Sequence, residues 1–310
     1  MEPLRDIGAD GYPTDYLVAR VRSRRAALLA AGRRGQPLGL EDAASDAAIW
    51  DELLAEFDWL RRQMNPRLRS IFGPVFTLFG IKTLVLALRD KAAERHAAVR
   101  RLMQHELFAD ELREALVRAP DVGSAVAAVI DAFTPAPGDA RGLAAAYADG
   151  GLKGLEARLT RDFLGSAASI RSPAAIQRFF AAFIDLRNVM TLYKHLRWGF
   201  QDAAAFVAGG TLGIARLSAA SASGDGRCLD DLVREIAGDA APAMAASEVA
   251  LESRLLSHLT RRLRKRGREG DDIDRILDYT WSLYVHARNR ALRLHAGRAD
   301  AGSLERELIA

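Results

Sequence analysis

The stretch "FIDLRNVMTLYKHLRWG", residues 183–199, limits the possible folds more than any other part of the chain, because it belongs to a helix that is apolar on two sides. Ser172 is placed as its N-cap, Pro173 in the first turn where a missing N–H costs nothing, and Gly199 as its stop. At 1.5 Å per residue such a helix is roughly 40 Å long. With 100° per residue, Ile176, Phe179, Phe180, Phe183, Leu186, Met190 and Tyr193 gather on one side. Asp185, Asn188, Val189, Leu192 and Leu196 fall on the other. A helix greasy on both faces is held between neighbours, so Asp185 and Asn188 are expected to be buried with partners. An unpaired buried carboxylate costs several kcal/mol or stays protonated. Asp185 is therefore expected to meet a basic or backbone donor from a neighbouring helix, and Asn188 to bridge a second contact.

The rest of the chain reads the same way. Of its 310 residues 49% are hydrophobic, enough for a large core, and no segment alternates with period two, so the fold class expected is all-α. Helices are expected from Thr14 to a stop at Gly32, and then over residues 40–64, 79–103, 109–119 and 122–133, followed by a loop at 134–142. More follow over 151–168, from Ser172, and over 228–238, 242–266 and 272–297. On the first, Tyr16, Arg20 and Arg24 lie one turn apart on a single face. "LEARL" at 155–159 and "LESRL" at 251–255 each precede a long amphipathic helix, and the long helices recur about every hundred residues. That period suits three similar helical bundles, assigned to residues 1–106, 107–204 and 205–310.

One cysteine, Cys228, gives neither a disulfide framework nor a thiol pair for zinc, and fits a reducing compartment. The first residues hold no apolar core of a signal peptide, so a cytoplasmic location is expected. The apolar run at 71–88 is interrupted by Pro74 and Lys82 and reads as a core helix rather than a membrane span. Forty-four basic residues nearly balance forty acidic ones, so net charge does not announce a nucleic-acid partner.

Candidate chemistry is thin. "DDIDRILD", residues 271–278, loosely resembles the aspartate-rich magnesium box of class I terpenoid synthases, but Asp271, Asp272 and Asp274 stand at a helix start, where carboxylates cap free N–H groups. "RRLRKRGREG", residues 261–270, is the densest basic run, without aromatic interleaving for base stacking, and reads as a solvated helix end. The six histidines show no HExxH pairing and read as surface or helix-end residues, and neither a GxSxG elbow nor a phosphate loop is present. Trp50, Trp59, Trp198 and Trp281 fall at helical spacing and read as core. No catalytic, cofactor-binding or metal-binding residues are assigned.

Three stretches resemble the C-subunit family of the V/A-type rotary ATPases, whose members in eukaryotic V-ATPases are the d subunits. "YLVARVRSRRAALL" from Tyr16 is similar to the family's opening helix. "RDFLGSAASIRSPAAIQRFFAAFIDLRNVMTLYKHLRWG" is similar to the second-unit helix with its Asp-x-x-Asn signature, here Asp185 and Asn188, followed by Lys194. "YTWSLYVHARNRALRLHAGRADAGSLERELI" is similar to the last long helix and a short closing helix. In the first unit the signature positions hold Gly80 and Thr83, and in the third Arg288 and Ala291.

The resemblance implies three helical bundles in a funnel-like body and a non-catalytic adaptor without cofactors. It also implies a peripheral place on the cytoplasmic side of a membrane, one copy per complex. Its partners would be the central shaft subunits and the membrane proteolipid ring, with torque passed for proton or sodium transport. Tyr16, Arg20, Arg24, Asp185, Asn188 and Lys194 are its structural or interface candidates. The competing readings are a basic helical module that binds nucleic acid through residues 261–268, and a magnesium-dependent prenyl-diphosphate enzyme using Asp271, Asp272 and Asp274.

Overall fold

In the computed structural model, residues 11–34, 45–105, 107–133, 137–199, 205–238, 242–296 and 309 are described. Among them the regular structure is α-helical, with no strand. The helices are α1 (Thr14–Arg34), α2 (Asp46–Gln63), α3 (Pro66–Ala92), α4 (His96–Leu102), α5 (Asp110–Arg118) and α6 (Val122–Phe133). They continue as α7 (Pro137–Ser169), α8 (Ala174–Trp198), α9 (Ile214–Ser223), α10 (Gly226–Ala237), α11 (Glu248–Glu269) and α12 (Asp272–Ala296). The chain divides into two compact units, one of Met1–Leu53 with Ala167–Ala310 and one of Leu54–Ser166. The expected short closing helix falls, apart from Ile309, outside the described residues, as does the start of the helix expected from residue 40.

In the first unit α8 packs against α11, α12, α9 and α10, and α12 lies along both α11 and α1. Its core is aromatic. Phe179 meets the Trp281 ring edge-on at 5.9 Å, and the indole N–H donates to Thr260 Oγ1 at 2.8 Å. That hydroxyl in turn donates to the Leu256 carbonyl at 2.8 Å, so the one polar atom of a fully buried tryptophan is satisfied inside the core. Burial of a side chain this large contributes on the order of 3 kcal/mol. α1 is tied to α12 by Arg25, which pairs with the buried Asp278. Burial pushes the Asp278 carboxyl up, while Arg25, Arg264 and Arg268 pull it down.

The second unit is built round α3, which packs on α4 and α6. Asn65 caps it by accepting from the Leu68 N–H at 2.9 Å, and Pro66 occupies the first turn. Pro74 sits inside the helix without ending it. By length and mean hydropathy, 2.0 over its most apolar window, α3 could cross a membrane, but 67% of that window is buried within the protein. It is a core helix, with Phe57 against Phe76 and Phe79 at 5.8 and 5.1 Å. The buried Lys91 at its end donates to the Leu116 and Val117 carbonyls, each at 3.3 Å. A cation there satisfies the orphan carbonyls that close α5.

The structure departs from the sequence expectations in several places. α1 runs through Gly32 to Arg34. Ser172 does not cap α8: Pro173 holds the cap position and makes no side-chain bond, while the Ser172 hydroxyl is buried and has no hydrogen-bond partner among the described residues. The helix expected over 79–103 is two, broken where Glu94 takes a left-handed φ of 56°. The loop expected at 134–142 is largely the first turns of α7, whose kink falls at Gly151, φ 58° and ψ −149°. α9 has no counterpart among the expected helices. Trp198 is not core but 52% exposed, and His195 is buried, its Nδ1 2.9 Å from Ser221 Oγ.

Candidate functional site

Asp185 and Asn188 stand one turn apart on α8 and are 4% and 0% exposed. What they meet is the chain that returns to α8 before α9 begins. Asp185 Oδ2 accepts from the Thr211 N–H at 3.0 Å and from its hydroxyl at 2.5 Å, and Oδ1 accepts from the Leu212 N–H at 3.0 Å. Asn188 reads both backbone groups of a single residue: its Nδ2 donates to the Val207 carbonyl and its Oδ1 accepts from the Val207 N–H, both at 2.8 Å. The carboxylate thus has three donors where a buried charge needs them. The donors come from a loop, over residues 205–213, rather than from a neighbouring helix.

The loop reaches α8 because of two glycines that the sequence alone does not single out. Gly209 has φ of 100°, which side chains other than glycine rarely adopt, and a Cβ there would strike Ala168. At Gly210 a Cβ would fall on the Asp185 carboxylate. The signal is present as "AGGTLG", residues 208–213, but without a fixed partner it reads only as a turn.

On the same helix, Val189 and Leu192 are fully buried and Leu196 is half-buried, so the second apolar face is covered. Tyr193 donates its hydroxyl to the Ala246 carbonyl at 2.9 Å, and Lys194 pairs with Glu248 at 2.7 Å on the surface. The α1 candidates gather separately. Arg20 lies over the Tyr12 and Tyr16 rings, 5.5 and 5.8 Å from their centroids, and Arg24 is half-buried on the same face. Tyr16, Arg20 and Arg24 on one side, and Asp185 and Asn188 on the other, are two separate features of one unit.

A second grip of the Asn188 kind occurs on α12. Asn289 Nδ2 donates to the Ile309 carbonyl at 2.8 Å and Oδ1 accepts from the Ile309 N–H at 3.0 Å. Three residues earlier, where α8 has Asp185, α12 has His286. Arg288, expected at the signature position, instead pairs with Glu252 at 3.3 Å. In α3, Gly80 lies against the Phe108 ring, with a Cβ there only 2.6 Å from Phe108 Cζ, and Thr83 is buried.

The aspartate cluster at the start of α12 is engaged in holding the helix. Asp271 Oδ1 accepts from the Asp274 N–H at 2.9 Å, Asp272 pairs with Arg275 at 2.7 Å, and Asp274 pairs with Arg178 at 3.3 Å. The basic run is divided between faces: Arg264 turns inward toward Asp278 and Arg25, where burial lowers its pKa, while Arg262, Lys265 and Arg266 are exposed.

A family model described as ATP synthase (C/AC39) subunit matches residues 36–289, most of the chain, including the whole of α8 and the loop bound to it. The protein belongs to this family. Its members are accessory, generally non-catalytic stalk subunits of the V/A-type rotary ATPases, peripheral rather than membrane-embedded. The match leaves out α1 with Tyr16, Arg20 and Arg24, so the family assignment rests on the middle of the chain and not on the opening helix. No curated protein matches the chain significantly.

Proposed function

We propose that this C/AC39 family protein is the non-catalytic central-stalk adaptor of a V/A-type rotary ATPase. It joins the rotating shaft to the membrane proteolipid ring, on the cytoplasmic face, as one peripheral copy per complex, and passes torque for proton or sodium transport. The family match over residues 36–289 carries this reading. A torque-bearing part has to resist bending, and long helices packed side by side supply that. α8 and α12, each 25 residues, and α11, 22 residues, fit the role, with their loop and partners fastened by buried bonds. Tyr16, Arg20, Arg24, Asp185, Asn188 and Lys194 are its proposed structural or interface residues. The division into three related bundles, 1–106, 107–204 and 205–310, belongs to the same proposal. The recurrence of the asparagine grip about a hundred residues further on, from Asn188 to Asn289, supports it.

The test is purification of the tagged protein from native membranes under mild detergent. Recovery with proteolipid and shaft subunits supports the adaptor role. A soluble protein that brings down neither, from membranes whose rotary ATPase is otherwise intact, overturns it.

A further inference from the structure

Between α8 and α11 lie two depressions of about 270 and 290 Å³ that share Ala182, Leu259 and Arg262 and so form one groove. On α8 its floor is Ala175, Phe179, Ala182 and Leu186, successive positions of one helical face. On α11 it is Leu255, Leu259 and Leu263, one turn apart. From Ala175 to Leu186 the floor runs three turns, about 16 Å. The rim is cationic. Arg178, Arg262, Lys265 and Arg266 border it, against the acidic Glu269, Asp274 and Glu235. Asp274 is engaged by Arg178, and the charge of Asp185 is taken up by Thr211 and Leu212. Arg262, Lys265 and Arg266 enter no ion pair among the described residues. The local field is positive enough to be felt by His258 on the groove wall, which burial and then Arg262 and Arg261 hold toward its neutral form.

We infer that this groove is the docking site for an acidic amphipathic helix of a partner chain, its apolar edge on the leucine and alanine floor and its carboxylates against Arg262, Lys265 and Arg266. Such docking depends on the groove alone and stands whether or not the adaptor reading does. The floor follows one straight helical face over three turns, the length of a short helix, and since its side chains apart from Ala182 are buried, the rim charges carry more of the recognition than apolar area does. Of the charges on its edge that enter no ion pair among the described residues, three, Arg262, Lys265 and Arg266, are cationic and one, Glu269, is acidic, and this positive excess calls for the opposite sign in the partner. The lining presents no exposed aromatic on which a base could stack, and Arg264 of the basic run is turned inward, which disfavours a polynucleotide.

The experiment uses the full chain and a fluorescent peptide of about four turns, with leucine at i, i+3, i+4 and i+7 and glutamate elsewhere. A scrambled peptide of equal composition, anionic phosphatidylglycerol vesicles and a DNA duplex are titrated alongside. The patterned peptide is expected to bind, the scrambled one not. The triple variant Arg262→Glu, Lys265→Glu, Arg266→Glu should bind at least about tenfold more weakly. These three side chains are exposed, so helicity and unfolding midpoint should be retained, and both are measured. Ala182→Trp, which fills the floor without changing charge, should also weaken binding. The inference fails if the patterned peptide does not bind, if it binds wild type and triple variant equally, or if vesicles or DNA are preferred over it.

Discussion

Asp185 keeps a carboxylate where only 4% of the residue reaches water, and the three hydrogen bonds from Thr211 and Leu212 make that tolerable. Removing it leaves the buried Leu212 N–H unpaired, while the exposed Thr211 can turn to water, so Asp185→Ala should cost about 2 kcal/mol in urea unfolding. At the other end of the scale, Lys194→Ala breaks a surface pair with Glu248 and should cost under about 1 kcal/mol. His286 predicts a pH dependence. Burial first, then Arg290 and Arg293, lowers its pKa to about 4, against the raising effect of Glu52. The unfolded chain takes up that proton at the ordinary histidine value of about 6.5, so between the two pH values the unfolded state binds more protons. The stability His286 contributes by staying neutral is complete above that upper pH and falls as acid is added. Wild type should lose about 1–2 kcal/mol more than His286→Phe between pH 7.5 and 4.5, less than full linkage because the ring is partly exposed. At this scale the burial of Asp185 and Asn188 is legible in sequence, since two apolar faces leave a helix no solvent side. Their partners are not, because loop donors carry no periodic signal.

Helices with clear caps and a strong stripe are legible, α10 and α12 to within a few residues at each end. The break between α3 and α4 is not, because "DKAAERHAAV" contains only residues that suit a helix and neither glycine nor proline. The chain turns there by putting Glu94 at φ 56°, an unfavourable conformation for an exposed residue with a side chain. Glu94→Gly should therefore stabilise the protein by about 0.5–1 kcal/mol, read as a higher urea midpoint at unchanged slope. The loop at 205–213 makes a second test of element behaviour. Asp185 and Asn188 fasten the same short segment, and either loss frees part of it. The double variant Asp185→Ala, Asn188→Ala should therefore cost less than the sum of the two singles by about 1 kcal/mol or more, a coupling that independent sites would not show.

For the whole molecule, the all-helical class and the family follow from residues visible in the sequence, above all the Asp185 and Asn188 helix. The register of α12 does not. Sequence spacing points to Arg288 and Ala291, whereas the grip belongs to Asn289. In the proposed repeat, what recurs is the place where the chain comes back to its helix, and the offset of two residues between the expected pair and His286 with Asn289 turns a side chain by about 200°, enough to hide that equivalence in the sequence. The neutral His286 at the Asp185 position also erases the acidic half of the signature. Because Asn289 holds both backbone groups of Ile309, that isoleucine is fastened to α12 by a pair of bonds that only the backbone of one residue can complete. Deleting Ile309 would unbutton that fastening and leave the Asn289 amide without both of its partners, whatever side chain had stood there.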